Sequence, residues 1–165
     1  MSIVVGLVIG KHRVLAGDQR VSYGDGHKFD HAPKVYKLKT GLLGFTGSVE
    51  PESKLVTVLR KADDPTSLVL PKGSYEALFL SANGKAYIIS DGKSLVNDNA
   101  TVFAMGAAYQ YAHGAILGAC KARGVNIKRA KPKQMEWLAR LGVRAAIEFN
   151  NTCGGRVQVK YLEVT

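Results

Sequence analysis

Apolar positions along this chain follow two periods, one of two residues and one near four, arranged in blocks. Residues 3–9, Ile-Val-Val-Gly-Leu-Val-Ile, form a near-continuous apolar run, the pattern of a strand buried on both faces. Gly10-Lys11-His12 predicts a turn into a second strand at 13–18. Tyr23-Gly24-Asp25-Gly26-His27 carries turn residues and predicts an exposed loop. Pro33 keeps the residue before it extended and leads into a third strand at 34–38. Lys39-Thr40-Gly41 then turns the chain into a fourth at 42–47. Four strands with such short links predict an antiparallel meander.

After Gly47 the period changes. Ser48 is the expected N-cap of a helix, with Glu50 and Glu52 in the first turn, where the helix dipole favours acids. Leu55, Val56 and Leu59 give its apolar stripe, and Asp63-Asp64-Pro65 ends it. Residues 66–74 read as irregular. Strand-like runs at 76–82 and 85–90 flank Asn83-Gly84, the strongest short hairpin signal, and 101–105 reads as a further strand. Residues 106–123 are small and apolar and predict a buried helix, close-packed at Gly114 and Gly118 and stopped by Gly124. Pro132 suits the first turn of a second helix reaching about Asn150, with a stripe of Met135, Leu138, Gly142, Ala145, Ala146 and Phe149. Gly154-Gly155 breaks it, and 157–164 alternates as a last strand. The order predicts an α+β fold: two antiparallel sheets packed face to face, one covered by the antiparallel helix pair 107–123 and 132–150.

Composition narrows the class. A chain of 165 residues, 46% apolar and 22% charged, is expected to be one soluble domain spanning 1–165. No apolar run approaches the ~20 residues of a membrane span, and no basic segment precedes a long apolar one at the start, so a membrane or secretory role is not expected. Cys120 and Cys153 form neither a close pair nor a metal-ligand cluster with the four histidines. A reducing cytoplasm is the expected setting, with no metal and no cofactor. The net charge of +10 raises the question of a polyanion. Six of the basic residues, Lys121, Arg123, Lys128, Arg129, Lys131 and Lys133, lie together without an acid among them, but no nucleic-acid-binding motif surrounds them. A solvated link between the two helices accounts for them more simply than a subunit or acidic-partner contact.

The candidate chemistry sits near the start of the chain. Met1 precedes a small residue, Ser2, and methionine aminopeptidases remove Met in that context. A chain beginning at Ser2 would hold a nucleophilic hydroxyl and a basic α-amine, of pKa about 7.7–8.0, in one residue. Met-Ser is also a common start for any protein. Asp18 ends one predicted strand, Lys34 opens another and Gly47 closes a third. An ordinary strand-end ion pair between Asp18 and Lys34 is the alternative to a catalytic role.

The elements Ala16-Gly17-Asp18 and Thr46-Gly47-Ser48, with Asp18 sixteen and Lys34 thirty-two positions after Ser2, resemble the proteasome β-subunit and HslV-type peptidases, which are N-terminal nucleophile hydrolases. The resemblance implies a four-layer αββα sandwich. It implies hydrolysis of peptide or protein substrates through an acyl-enzyme on Ser2, with Lys34 tuning the amine, Asp18 holding Lys34 and the Gly47 N–H facing the oxyanion; Arg20 is expected to brace Asp18 or the site wall. It also implies a homo-oligomeric ring and a possible ATPase partner. Three supporting positions depart from the pattern: Ala107 stands where the family has a serine, Asn150 where it has an acid, and Cys153 where it has a serine. The 28 residues 48–75 leave room for one helix where the family has two, so one outer helix is expected to be missing or shortened. A catalytically inactive scaffold or binding subunit on the same fold is the alternative function, and a basic polyanion-binding protein ranks below both.

Overall fold

The computed structural model describes residues 2–22, 27–97 and 99–164. The chain runs through β1 (Ile3–Ile9), β2 (His12–Gly17), the two-residue strands β3 (Val21–Ser22) and β4 (Lys28–Phe29), β5 (Val35–Leu38), β6 (Gly41–Gly47) and α1 (Glu50–Leu59). It continues through β7 (Tyr75–Ser81), β8 (Ala86–Ser90), β9 (Lys93–Val96), β10 (Val102–Gly106), α2 (Tyr109–Ala122), α3 (Pro132–Phe149) and β11 (Gln158–Glu163). The expected order of strands and helices is present. Short β3, β4 and β9 are additions that no apolar alternation marked.

The long strands form two antiparallel sheets, ordered β10-β1-β2-β11 and β5-β6-β7-β8-β9, and β3 and β4 pair with each other as a separate two-stranded ribbon. The first four long strands are therefore two hairpins in two sheets, not one meander. Burial on both faces explains the division. In β1, Ile3, Val5 and Leu7 face a core shared with α2 and α3, while Val4 faces one shared with Val35, Leu42 and Leu78 of the opposite sheet. In β6, Leu43 and Phe45 pack under Leu55 and Leu59 of α1, while Leu42 points between the sheets. The layers are thus a helix pair, a four-stranded sheet, a five-stranded sheet and a single helix. This is the αββα sandwich with one outer helix absent among the described residues. Arg13 clasps the two sheets, its guanidinium donating to the carbonyls of Gly10 (2.6 Å) and Gly84 (2.7 Å).

Several local expectations are corrected. Val49, not Ser48, sits at the N-cap of α1, and no side chain caps it. Ser48 instead donates its N–H to the Ser74 carbonyl at 3.0 Å, prolonging the β6–β7 pairing. In α2 only Ala112, Ile116 and Cys120 are buried, and a methyl placed at Gly114 or Gly118 would meet open space. The close-packed glycine is Gly142 of α3, where a Cβ would lie 2.9 Å from Ile116. Phe149 is 64% exposed and stacks on Tyr111 at 5.5 Å rather than entering the core. The loop expected at 23–27 lies, except for His27, outside the described residues, as does Met1.

These two kinds of glycine should respond oppositely to substitution. Gly142→Leu overpacks the α2–α3 contact and is expected to destabilise the protein by ~1–3 kcal/mol. Gly118→Ala is expected to stabilise it by up to about 1 kcal/mol, because alanine loses less backbone freedom in an exposed helix. Urea unfolding midpoints of the two variants would check both signs.

Candidate active site

The start of β1 is held by its neighbours on both sides. Ile3 pairs with Gly106 of β10, and the Ala107 N–H donates to the Ser2 carbonyl at 3.2 Å. Gly106 has φ +99°, and a side chain there would run into that same carbonyl. On the other side Asp18 follows β2. Its N–H donates to the Ile3 carbonyl at 3.3 Å, and its carboxylate accepts the Ile3 N–H at 3.1 Å. Ser2 is held in this corner only 4% exposed, and among the described residues its hydroxyl has no hydrogen-bond partner.

Asp18 is fully buried and is the hub of the corner. Besides Ile3, its carboxylate accepts the N–H groups of Gly154 (3.0 Å) and Arg20 (3.3 Å). Burial pushes its carboxyl above the ordinary range. The three N–H donors and the positive charge of Lys34 pull it back.

Lys34, 2% exposed, reaches the same corner from the other sheet. The approach is set by Gly17, where a Cβ would lie 2.8 Å from Val35 and 3.1 Å from the stem of Lys34. The Lys34 backbone is fixed by donation to Gln158 Oε1 of β11 at 2.8 Å. Its ammonium acts through space on two carboxylates, Asp18 and Glu52 of α1. Glu52 accepts a hydrogen bond from Tyr36 Oη, and its carboxyl is raised by burial. Among the described residues Lys34 forms no ion pair within 4.0 Å. The lysine is neither in bulk solvent nor locked to one carboxylate.

Gly47, at the end of β6, faces the same region through its backbone. Ser48 N–H bonds to Ser74 on one side of β6, and Phe45 N–H bonds to the Lys34 carbonyl (2.9 Å) on the other. Bonding directions alternate along an antiparallel strand, so the Gly47 N–H points away from β7, past the last bond to the β5 side. Its φ of +114° and the nearness of Ser74 and Tyr75 leave no room for a side chain. Ser2, Thr46, Gly47, Gly106 and Ala107 form one wall of a cavity of about 750 Å³.

The other expected positions lie around this centre. The Arg20 guanidinium does not go to Asp18. It pairs with Asp30 (Nε–Oδ1 2.6 Å) and donates to the carbonyls of Asn151 and Cys153, both at 3.1 Å. It thereby braces the turn after α3, with only its backbone N–H on Asp18. Asn150 caps that turn locally, its Oδ1 accepting from Thr152 N–H (2.9 Å) and Thr152 Oγ1 (2.6 Å). Cys153 is buried beside Asp18, and burial pushes its thiol up to about 11. The turn hydrogen-bonds to Asp18 through the Gly154 N–H, not through the Asn150 or Cys153 side chains. Gln158, Tyr36 and Glu52 were not singled out from sequence. No local signal marks Gln158, whose partner is 124 positions away. Glu52 drew notice only as a first-turn acid.

No protein-family model matches the chain, and no curated protein matches it. Solved structures do. The Thiobacillus denitrificans BPH structure in complex with epoxomicin superposes with a TM-score of 0.74 at 20% identity, covering 99% of this chain and 99% of that one. A second structure of Thiobacillus denitrificans BPH gives 0.73 at 20% identity, covering 99% and 98%. Eukaryotic HslV from Trypanosoma brucei gives 0.68 at 19% identity, covering 98% and 99%. The chain has the HslV-type fold. The antiparallel two-sheet architecture is matched over nearly the full length of both chains. Among the described residues no helix is long and apolar enough to cross a membrane.

Proposed function

We propose that this chain is a proteasome- and HslV-type peptidase, a single domain that cleaves amide bonds through an acyl-enzyme on Ser2 after removal of Met1. What supports the reading is that Ser2 and Gly47 line one cavity while Asp18, bonded to the Ile3 N–H beside Ser2, feels the charge of the buried Lys34, in a chain with the HslV-type fold. Ser2 Oγ attacks the substrate carbonyl, and the freed α-amine takes the hydroxyl proton. Lys34 supplies positive charge that keeps the amine basic form available near neutrality. The Gly47 N–H receives the oxyanion. Collapse of the tetrahedral intermediate expels the amine product, which leaves with the proton held by the α-amine. Water then attacks the acyl-Ser2 ester, giving its proton through the α-amine back to Ser2 Oγ and releasing the acid. Assembly into a homo-oligomer and a feeding ATPase belong to the same reading by the resemblance to HslV.

One observation favours the non-catalytic scaffold as a second reading. Ala107 donates to the Ser2 carbonyl through its backbone and Asn150 bonds Thr152, and among the described residues no side-chain hydrogen bond from Ala107, Asn150 or Cys153 reaches Ser2. Intact mass and labelling decide between the two. The enzyme reading expects loss of Met1 and attachment of one electrophilic inhibitor per chain, mapped to Ser2. Epoxomicin, present in the Thiobacillus structure, is the first compound to try. Retained Met1, or processed protein that no probe labels at Ser2, would establish the scaffold.

A further inference from the structure

The cavity beside Ser2 has an acidic wall. Next to Thr46 and Gly47, across the β6–β7–β8 ladder, it is lined by Ser74, Glu76, Ser90 and Asp91, and among its described lining residues none is basic. This stands out in a chain of net charge +10. The wall is built, not accidental. Asp91 adopts φ +45° beside Gly92 at φ +76°, the two-residue turn that closes the β8–β9 hairpin. Its Oδ1 accepts the Gly73 N–H at 3.1 Å, which pins the turn to the segment entering β7. Glu76 sits on β7 one residue beyond Tyr75, and its carbonyl accepts the Thr46 hydroxyl at 3.2 Å. The nearby lysines, Lys72 beside Gly92 and Lys93 at the start of β9, are not among the residues that line the cavity. Ser2, 4% exposed and with no hydrogen-bond partner for its hydroxyl among the described residues, lines the same space.

We infer that this cavity selects substrates carrying a cationic side chain, lysine or arginine, beside the amide that is cleaved. The inference rests on Ser2 being the nucleophile. A long basic side chain reaching across the cavity from a carbonyl held at Ser2 and Gly47 ends against Glu76 and Asp91. The Ser74 and Ser90 hydroxyls offer it further acceptors. The neutral remainder of the peptide gains nothing from this wall, and an acidic side chain is repelled by it.

The test uses protein beginning at Ser2 and three electrophilic peptides that differ at one position beside the reactive carbonyl, carrying lysine, glutamine or glutamate. Labelling rates at Ser2 should rank lysine over glutamine over glutamate. The lysine-to-glutamine ratio should fall by about fivefold for each of Glu76→Gln and Asp91→Asn, the upper end for a solvent-accessible ion pair. It should also shrink as salt rises. Asn at position 91 tolerates the left-handed turn and can still accept from Gly73, so the fold should survive, which a melting curve checks. Equal labelling by the three peptides, or a ratio unchanged in the double variant, overturns the selectivity alone. No labelling at Ser2 by any of the peptides overturns the nucleophile, and the selectivity with it.

Discussion

Asp18→Ala is expected to destabilise the protein by roughly 3–5 kcal/mol and to abolish labelling of Ser2. The stability loss follows from what the carboxylate does inside the fold. It is fully buried and accepts N–H groups from the first residue of β1, from Arg20 and from Gly154 in the turn after α3. A buried donor left without an acceptor costs about 1–3 kcal/mol, and here three lose the same partner at once. Lys34 also loses a carboxylate charge that acts on it through space, which adds to the cost. These costs overlap, since the corner can relax and admit water, so the sum falls well short of their total. Asp18→Asn separates the two roles. Its carbonyl oxygen can keep one or two of the N–H bonds while the negative charge is gone, so it should retain most of the stability and lose most of the labelling. Urea unfolding and labelling rate measured on both variants check this. An alanine variant within 1 kcal/mol of the parent would show that Asp18 does not organise the corner.

The strand ends that carry the proposed site residues were legible in the sequence. Ser2, Asp18, Lys34 and Gly47 each sit within a residue of a strand end, and strand ends are what apolar runs and their breaks reveal. Gly17 is the physical link between two of them. Its missing Cβ lets β2 close on the start of β5, which is why Asp18 and Lys34 come from opposite sheets and still share one site. The sheet assignment itself was not legible. A strand apolar on both faces, such as 3–9, fits the middle of a meander as well as the inner layer of a sandwich, and only the positions of the helices decide.

Small residues misled in a different way. Gly114 and Gly118 look like packing positions, but α2 buries the stripe Ala112, Ile116 and Cys120, spaced by four, and turns both glycines outward. Polar supports escaped altogether. Gln158 on Lys34, Glu52 with Tyr36, and Arg13 on Gly84 join residues far apart in the chain, and a linear pattern carries no trace of such pairs. The acidic wall of the cavity is of the same kind, since Glu76 and Asp91 belong to separate hairpin ends.

Lys34→Met should leave a folded protein whose Ser2 reacts about 10²–10³-fold more slowly at pH 7, a loss comparable to removing an electrostatic stabiliser of the transition state. Methionine keeps much of the buried stem volume and deletes only the charge, so a failure to fold would point to the lost charge rather than to packing. The pH profile distinguishes a catalytic lysine from a structural one. A nearby positive charge favours the neutral form of the Ser2 α-amine and so lowers its pKa from the reference of about 7.7–8.0. Deleting that charge raises the amine's pKa, leaving less neutral base at pH 7 and restoring it only at higher pH. The labelling rate of Lys34→Met should therefore rise at more alkaline pH than that of the parent. Part of the deficit should close above pH 8, while the portion due to the oxyanion persists. Labelling rates from pH 6 to 9 on both proteins make the comparison. A rate within threefold of the parent, with an unshifted profile, would assign Lys34 to the buried charge balance of Asp18 and Glu52 alone, and leave the reaction to Ser2 and the backbone of Gly47.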